Sequence, residues 1–308
     1  MPDAVVLVAH GSRSRAGQDD MAALTASVAD SLPAIEVRLG YLELSDPPAD
    51  TVIDEVLSAG AHDLVVVPLM LHAAGHSKSD VPALVVGGRR RHPGARIAYA
   101  RPFGADHTLL MLARRRIAEA DGLDAPLALL SRGSSDPDAN AEAYRTARLV
   151  ADMVGAPIVA PGFSGVTWPD VPAALAQLQQ LGASRVTVFA WFLATGVLID
   201  RMREDFARFA DATGIPVVDA GYLGTGREVT ELTLARIDEA VRGRVVTNCD
   251  ACAYRQPFPG LEDRVGLPIG VGHSHLAAEH RTSPPLHAHD HHAHDHHAHD
   301  HHAHHQGA

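Results

Sequence analysis

The chain has 308 residues, 46% of them hydrophobic and 5% aromatic, which is typical of α/β proteins long enough for two domains with their own cores. Its formal net charge of −11 argues against nucleic acid as the main partner. No apolar run approaches the roughly 18 residues of a membrane helix, and the N-terminus lacks a secretory leader, so we expect a cytoplasmic protein with no membrane partner.

The first part of the chain alternates between strand and helix patterns. Residues 4–12 (AVVLVAHGS) indicate a buried parallel strand that runs into a glycine turn. Residues 71–80 form a predicted loop, and Ser45 or Asp46 is expected to cap the helix that follows. The further predicted strands are 35–42, 63–69 and 95–100, and the predicted helices are 17–32, 49–59, 81–91 and 106–120. This alternation indicates a parallel sheet covered on both faces.

A linker at residues 121–126 is followed by a second series of the same kind. Its predicted strands are 127–130, 157–160, 185–190 and 215–218, and its predicted helices are 140–154, 171–181, 197–211 and 228–241. We therefore predict an α/β protein of two similar domains, residues 1–122 and 123–245, each a parallel sheet flanked by helices.

The composition changes after residue 245. Residues 246–285 form an extension that holds Cys249-x-x-Cys252, and residues 286–308 are a repetitive His/Ala/Asp tail. Because this tail has no apolar periodicity, we expect it to be disordered without ligand. It holds 12 of the 21 histidines, a composition suited to flexible binding of Co²⁺, Ni²⁺ or Zn²⁺, although an expression tag is the alternative.

Three potential metal ligands follow the first three strands of the first domain: His10, Glu43 and His76. Because parallel strands end at one edge of a sheet, these side chains are expected to converge. Two imidazoles and a carboxylate suit a divalent transition metal and leave positions open for a substrate. The alternative is a hydrogen-bonded histidine with two ordinary loop residues.

The second domain lacks these groups. Alignment of the two halves places Arg132, Gly165 and Val197 at the positions of His10, Glu43 and His76. Since none of the three replacements is a metal ligand, the pattern indicates one functional unit, located in the first domain.

The AHGSR element (residues 9–13), Glu43 before Asp-Pro-Pro, and the G-H-x-x-x-D-V-P run (residues 75–82) resemble class II tetrapyrrole chelatases. The most similar group is the sirohydrochlorin chelatases of the CbiX type in their long, duplicated form. The resemblance implies insertion of a divalent metal into sirohydrochlorin, with Co²⁺ for cobalamin synthesis favoured, Fe²⁺ for siroheme synthesis as the alternative, and Ni²⁺ also considered. His10 and His76 would then bind the metal, and Glu43 would act as a ligand or proton acceptor.

The implied substrate carries many carboxylates, which cationic side chains at the rim of a cleft would bind. Candidates for this role are Arg13, Lys78, Arg101 and Arg132, each of which can equally be a solvated surface cation. His72 is either an additional ligand or, as we favour, a hydrogen-bonded loop histidine.

Cys249 and Cys252 leave several interpretations open. Two thiolates do not complete a four-cysteine cluster, so the Fe–S cluster that the resemblance suggests would need a second chain or other ligands. A zinc site between subunits, a redox dithiol and two inert thiols are the alternatives, and the sequence is compatible with a monomer or a homodimer. Two further functions compete with the enzyme: storage of cobalt or nickel by the tail, and small-molecule binding between two α/β domains.

Overall fold

The computed structural model describes residues 1–246, 252, 254–255, 257 and 259–266. The described residues belong to one compact unit, and the predicted tail at residues 286–308 lies outside them. Among the described helices, none combines the length and apolar character needed to span a membrane.

The first half contains four parallel strands in the order β2-β1-β3-β4. The strands are β1 (Ala4–Ala9), β2 (Glu36–Tyr41), β3 (Asp63–Pro68) and β4 (Arg96–Tyr99). The helices are α1 (Arg15–Ser31), α2 (Ala49–Ser58), α3 (Val81–Arg91) and α4 (His107–Glu119). A short π-helical turn (His76–Asp80) leads directly into α3.

The second half repeats this arrangement, with the strand order β6-β5-β7-β8. Its strands are β5 (Leu127–Ser131), β6 (Val159–Phe163), β7 (Val186–Ala190) and β8 (Val217–Tyr222). Its helices are α5 (Pro137–Val154), α6 (Val171–Gln180), α7 (Val197–Thr213) and α8 (Arg227–Val241). The prediction of two similar parallel sheets flanked by helices is confirmed.

The central strand β1 explains why the sheet is covered on both faces. All six of its residues are buried, and they alternate between two cores as strand geometry requires. One face contributes Val5, Leu7 and Ala9 to the core between the sheets. The opposite face contributes Ala4, Val6 and Val8 to a core covered by α2 and α3.

The two halves exchange their last helices. α4 packs on β7 and β8 of the second sheet, while α8 packs on β3 and β4 of the first. Together with α1 and α5 they fill the space between the sheets with a shared apolar core, to which Leu109 and Ile117 of α4 and Leu232 and Ile237 of α8 contribute. Each sheet is therefore covered in part by the other half of the chain.

Several boundaries differ from the prediction for local reasons. α5 begins at Pro137, three residues before the predicted start, because the Asp136 side chain accepts the Asp138 N–H and proline fits the first helical position. The predicted loop at 71–80 includes the π-helical turn, in which the Val81 N–H donates to the His76 carbonyl. Pro82 follows it and has no N–H to donate, which limits continuation of an α-helical ladder across this point.

The predicted cap of α2 is wrong. The helix is preceded by Pro48, and no side chain caps it. Ser45 instead binds the backbone of Ser12: its hydroxyl accepts from the Ser12 N–H at 3.0 Å and donates to the Ser12 carbonyl at 3.0 Å. The Ser45 hydroxyl thus joins the loop after β2 to the loop after β1.

Candidate functional site

The carboxyl ends of β1, β2 and β3 lie side by side, as the register of the strands requires. Ala9 of β1 pairs with Tyr41 of β2, and Val8 pairs with Pro68 of β3. The pairing continues into the loops, since the Glu43 N–H donates to the His10 carbonyl at 3.0 Å. The sheet therefore brings three loops together at one edge.

His10, Glu43 and His76 form a cluster at this edge. One potential ligand atom from each residue lies within 4.8 Å of the other two. His10 Nε2 is 2.9 Å from Glu43 Oε1, and the His10 and His76 rings meet edge to face with their centroids 4.7 Å apart. Each side chain is about one-quarter exposed, at 26%, 28% and 23% for His10, Glu43 and His76. A cation entering from solvent can therefore reach all three.

A glycine allows the first two loops to approach closely. Gly11 has φ +102°, and a Cβ at this position would lie 1.7 Å from the Glu43 carbonyl oxygen. Any other residue would combine a clash with an unfavourable backbone conformation, so Gly11 is necessary for the contact between His10 and Glu43.

The second half repeats this glycine contact without the ligands. Gly133 has φ +84°, and a Cβ there would lie 2.3 Å from the Gly165 carbonyl oxygen. The matching contacts support the alignment of Arg132 with His10 and of Gly165 with Glu43. Val197 begins α7 much as His76 begins the π-helical turn, and among the described residues the cluster in the first half is the one that could hold a metal ion.

Asp80 orients the His76 ring. His76 Nδ1 lies 2.5 Å from Asp80 Oδ2, and a proton on Nδ1 would leave the lone pair of Nε2 for a metal. Asp80 is not among the predicted site residues, although the i, i+4 spacing of His76 and Asp80 places both on one side of a helical turn. Asp80 Oδ1 is buried and has no hydrogen-bond partner among the described residues.

His10 is held in its neutral form. Burial lowers its pKa to about 4, the neighbouring Arg132 and His76 lower it further, and Glu43 acts in the opposite direction. A neutral imidazole retains the lone pair that a metal ligand needs. Arg132 of the second half is thus close enough to influence the pKa of His10.

The four predicted substrate contacts differ in their surroundings. Arg13 and Arg132 are exposed, and neither guanidinium has an ion-pair partner among the described residues. Lys78 is instead enclosed by Asp136 and Asp138, and Arg101 donates to both carboxylate oxygens of Glu239, at 2.8 and 3.0 Å. The charges of Lys78 and Arg101 are therefore already compensated within the protein.

The hydrogen bond that we favoured for the His72 ring is not seen at its Nε2 atom in the described part of the chain. Its Nε2 atom is buried without a partner among the described residues, and burial lowers its pKa to about 4. It also lies outside the cluster of potential metal ligands.

The cysteine motif is only partly visible. Cys252 is a buried free thiol, whereas Cys249 lies outside the described residues. The Fe–S cluster, the zinc site and the redox dithiol therefore stay predictions.

The model of the CbiX family matches residues 4–120 and again residues 126–240. These two matches correspond to the two halves of the fold. The chain belongs to the CbiX family. The resemblance of the AHGSR and G-H-x-x-x-D-V-P elements is thus confirmed.

The relatives of this chain include enzymes named for cobalt and enzymes named for iron. A sirohydrochlorin cobaltochelatase of Priestia megaterium is 34% identical over 258 residues, covering 82% of this chain and 84% of the relative. A sirohydrochlorin ferrochelatase of Bacillus subtilis (strain 168) is 28% identical over 242 residues, covering 78% of this chain and 92% of the relative. The solved structure of Bacillus subtilis SirB with Fe³⁺ has a TM-score of 0.69 and 27% identity, covering 79% of this chain and 98% of SirB.

Proposed function

We propose that the protein is a sirohydrochlorin chelatase that inserts a divalent metal at the cluster of His10, Glu43 and His76. The observation that carries this proposal is the convergence of two imidazoles and a carboxylate within 4.8 Å, in a chain whose relatives are named sirohydrochlorin chelatases. The metal and the tetrapyrrole are both substrates of the reaction.

The three side chains would divide the chemistry between them. His10 and His76 would hold the metal through imidazole nitrogens, with His76 oriented by Asp80. Insertion of M²⁺ displaces two N–H protons from the tetrapyrrole; Glu43 would accept one of them beside the metal, and solvent water would take the other. Because the protein supplies only a few ligands, some coordination positions of the metal stay open, and the metal can pass to the macrocycle.

The second half would contribute to binding of the tetrapyrrole. Arg132 carries an exposed guanidinium close enough to influence the pKa of His10, and a guanidinium fork matches the carboxylates of the substrate. We keep Arg13 as a second contact of this kind. Because Lys78 and Arg101 are paired with carboxylates of the protein, we do not assign them to the substrate.

We further propose Co²⁺ as the physiological metal, with cobalamin synthesis as the pathway. The identity of 34% to a cobaltochelatase supports this choice, and Fe²⁺ insertion for siroheme synthesis is the alternative, supported by 28% identity to a ferrochelatase. Placement in the cytoplasm and metal binding by the tail stay predictions.

The direct test is anaerobic incubation of the purified full-length chain with sirohydrochlorin and with Co²⁺ or Fe²⁺ in turn, followed by the absorbance change of metallation. We expect enzyme-dependent insertion, with the higher kcat/KM for Co²⁺. A higher kcat/KM for Fe²⁺ would reassign the metal, and rates equal to the uncatalysed reaction for both metals would refute the chelatase function.

A further inference from the structure

The segment that carries His76 is held by the second half of the chain. We define residues 71–80 as the His76 loop. The Ala73 N–H donates to Glu142 Oε2 at 3.1 Å, and Lys78 Nζ donates to Asp136 Oδ2 at 2.9 Å and to Asp138 Oδ2 at 2.7 Å. All three acceptors lie in or directly before α5, so one helix of the second half holds both ends of this loop.

The Lys78 contacts are largely removed from water. The side chain of Lys78 is 10% exposed, and those of Asp136 and Asp138 are 1% and 14% exposed. A buried ion pair contributes less to stability than its geometry suggests, because burying the charges is costly. It does restrict the position of the groups that form it, and Lys78 follows His76 by two residues in the same π-helical turn.

The opposite side of the molecule provides an internal comparison. Asp20 Oδ2 of α1 accepts the Thr195 N–H at 2.8 Å, just as Glu142 of α5 accepts the Ala73 N–H. Asp20 and Glu142 are each the sixth residue of their helix, and Thr195 and Ala73 each lie five residues after the third strand of their half. Each half thus holds the corresponding loop of the other.

The ion pairs break this symmetry. Ser14 precedes α1 where Asp136 precedes α5, and Ile199, two residues after Val197, occupies the position that Lys78 has after His76. Ile199 is a buried core residue. Of the two corresponding loops, the His76 loop carries a potential metal ligand. Among the described residues, it is also the loop that is held by buried ion pairs, those of Lys78 with Asp136 and Asp138.

We propose that Lys78 is a positioning residue, through which Asp136 and Asp138 of the second half fix the His76 imidazole in the metal-binding geometry. This inference rests on the proposed chelatase function of the same site. It gives the second half a role in holding the metal as well as the tetrapyrrole, and it replaces the expectation that Lys78 contacts substrate.

The test compares Lys78→Met, Lys78→Arg and Asp138→Asn in the full-length chain, with Asp20→Ala as the matched control on the pseudosymmetric side. Steady-state metallation gives separate KM values for Co²⁺ and for sirohydrochlorin. The Co²⁺ absorption spectrum of each protein, minus that of the same protein carrying His76→Ala, reports metal at this site and cancels binding by the tail.

We expect Lys78→Met to raise the KM for Co²⁺ about tenfold or more, as loss of a group that orients a metal ligand does. Its KM for sirohydrochlorin should stay within about twofold of the wild-type value, because metal binding and tetrapyrrole binding are separate terms. Asp138→Asn should act in the same direction and Lys78→Arg should recover most of the loss. Asp20→Ala should lower the melting temperature without changing either KM.

Two results would overturn the proposal: unchanged Co²⁺ kinetics in folded Lys78→Met and Asp138→Asn, or a rise confined to the KM for sirohydrochlorin. If Lys78→Met does not fold, the nearly isosteric Asp138→Asn provides the same test. If the wild-type chain does not metallate sirohydrochlorin, the proposed function fails, whereas the Co²⁺ difference spectra still test the positioning of His76.

Discussion

His76 depends on a neighbour for the orientation of its ring. The 2.5 Å contact between His76 Nδ1 and Asp80 Oδ2 would hold the proton of a neutral ring on Nδ1, away from the candidate metal position. A carboxylate that accepts the N–H of a metal-binding histidine fixes the tautomer of the ring and raises its basicity. Asp80 is therefore the residue outside the ligand cluster whose replacement should affect metal binding most directly.

Asp80→Asn should weaken Co²⁺ binding at the cluster by about tenfold to a hundredfold, the usual effect of losing such a partner. The measurement is the His76-dependent Co²⁺ absorption in the full-length chain, with Asp54→Asn as a control at a second histidine–carboxylate contact, that of His92. Unchanged Co²⁺ affinity in Asp80→Asn would show that His76 is oriented by other contacts.

His72 should make the fold sensitive to acid. Its folded-state pKa of about 4 lies below the ordinary histidine value of 6.5, so the unfolded chain binds the proton first as the pH falls. The free energy of unfolding then decreases from pH 6.5 down to about pH 4, where the loss is complete. For this one group, the decrease between pH 7 and pH 5 amounts to about 2 kcal/mol.

His72→Leu should remove this part of the acid sensitivity. Urea unfolding at the two pH values measures it, and His62→Leu, a substitution of an exposed histidine, is the control. The same decrease between pH 7 and pH 5 in wild type and His72→Leu would mean that the His72 ring is protonated as readily in the folded protein as in the unfolded chain.

The elements of the fold were largely predictable, because their signals are local. The aliphatic run of β1 and the helical spacing of Met21, Leu24 and Val28 in α1 report which residues are buried. The π-helical turn was missed, since its i, i+5 bonding leaves no mark on the hydrophobic period. The exchange of α4 and α8 was missed as well, because a period shows that a face is buried and not which sheet covers it.

The cluster of potential metal ligands was predictable from the sequence, whereas the contacts of Lys78 were not. His10, Glu43 and His76 could be brought together from strand order alone, since parallel strands share an edge. The partners of Lys78 are 58 and 60 residues away in the second half, and nothing in the local sequence distinguishes a paired lysine from one that contacts substrate.

The loop between β5 and α5 places Arg132 where the first half has His10. Arg132→Ala should raise the KM for sirohydrochlorin about fivefold or more, because a charge-assisted contact to a carboxylate is lost. The KM for Co²⁺ should stay nearly constant. Steady-state kinetics measure both KM values, with Arg227→Ala, a change at an exposed arginine on α8, as the control. An unaltered KM for sirohydrochlorin in Arg132→Ala would show that Arg132 does not contact the substrate.

At the scale of the whole molecule, the two halves are repeats that depend on each other. α8 covers β3 and β4, and α4 covers β7 and β8. The buried guanidinium of Arg236 on α8 donates to the Phe103 carbonyl and to Asp106, each at 2.8 Å, which adds polar contacts between the halves. The predicted boundary after residue 122 therefore separates the repeats in sequence but cuts through a continuous core.

Residues 1–122 expressed alone should fail to form a stable monomer. Loss of α8 would expose the apolar face of β3 and β4, and α4 would lose the sheet against which Leu109 and Ile117 are buried. Size-exclusion chromatography with thermal unfolding tests this against the full-length chain, and a monomer that unfolds cooperatively near the full-length melting temperature would contradict it.

In the proposed function, one cluster in a duplicated chain carries out the metal insertion. The most direct measurement is the rate of Co²⁺ insertion into sirohydrochlorin at saturating metal by the full-length chain, compared with His10→Ala, His76→Ala and the control His62→Ala. We predict that His10→Ala and His76→Ala each lower the rate by about a hundredfold or more while remaining folded, and that His62→Ala is unaffected. A rate within a few-fold of wild type in either His10→Ala or His76→Ala would contradict the assignment of the site.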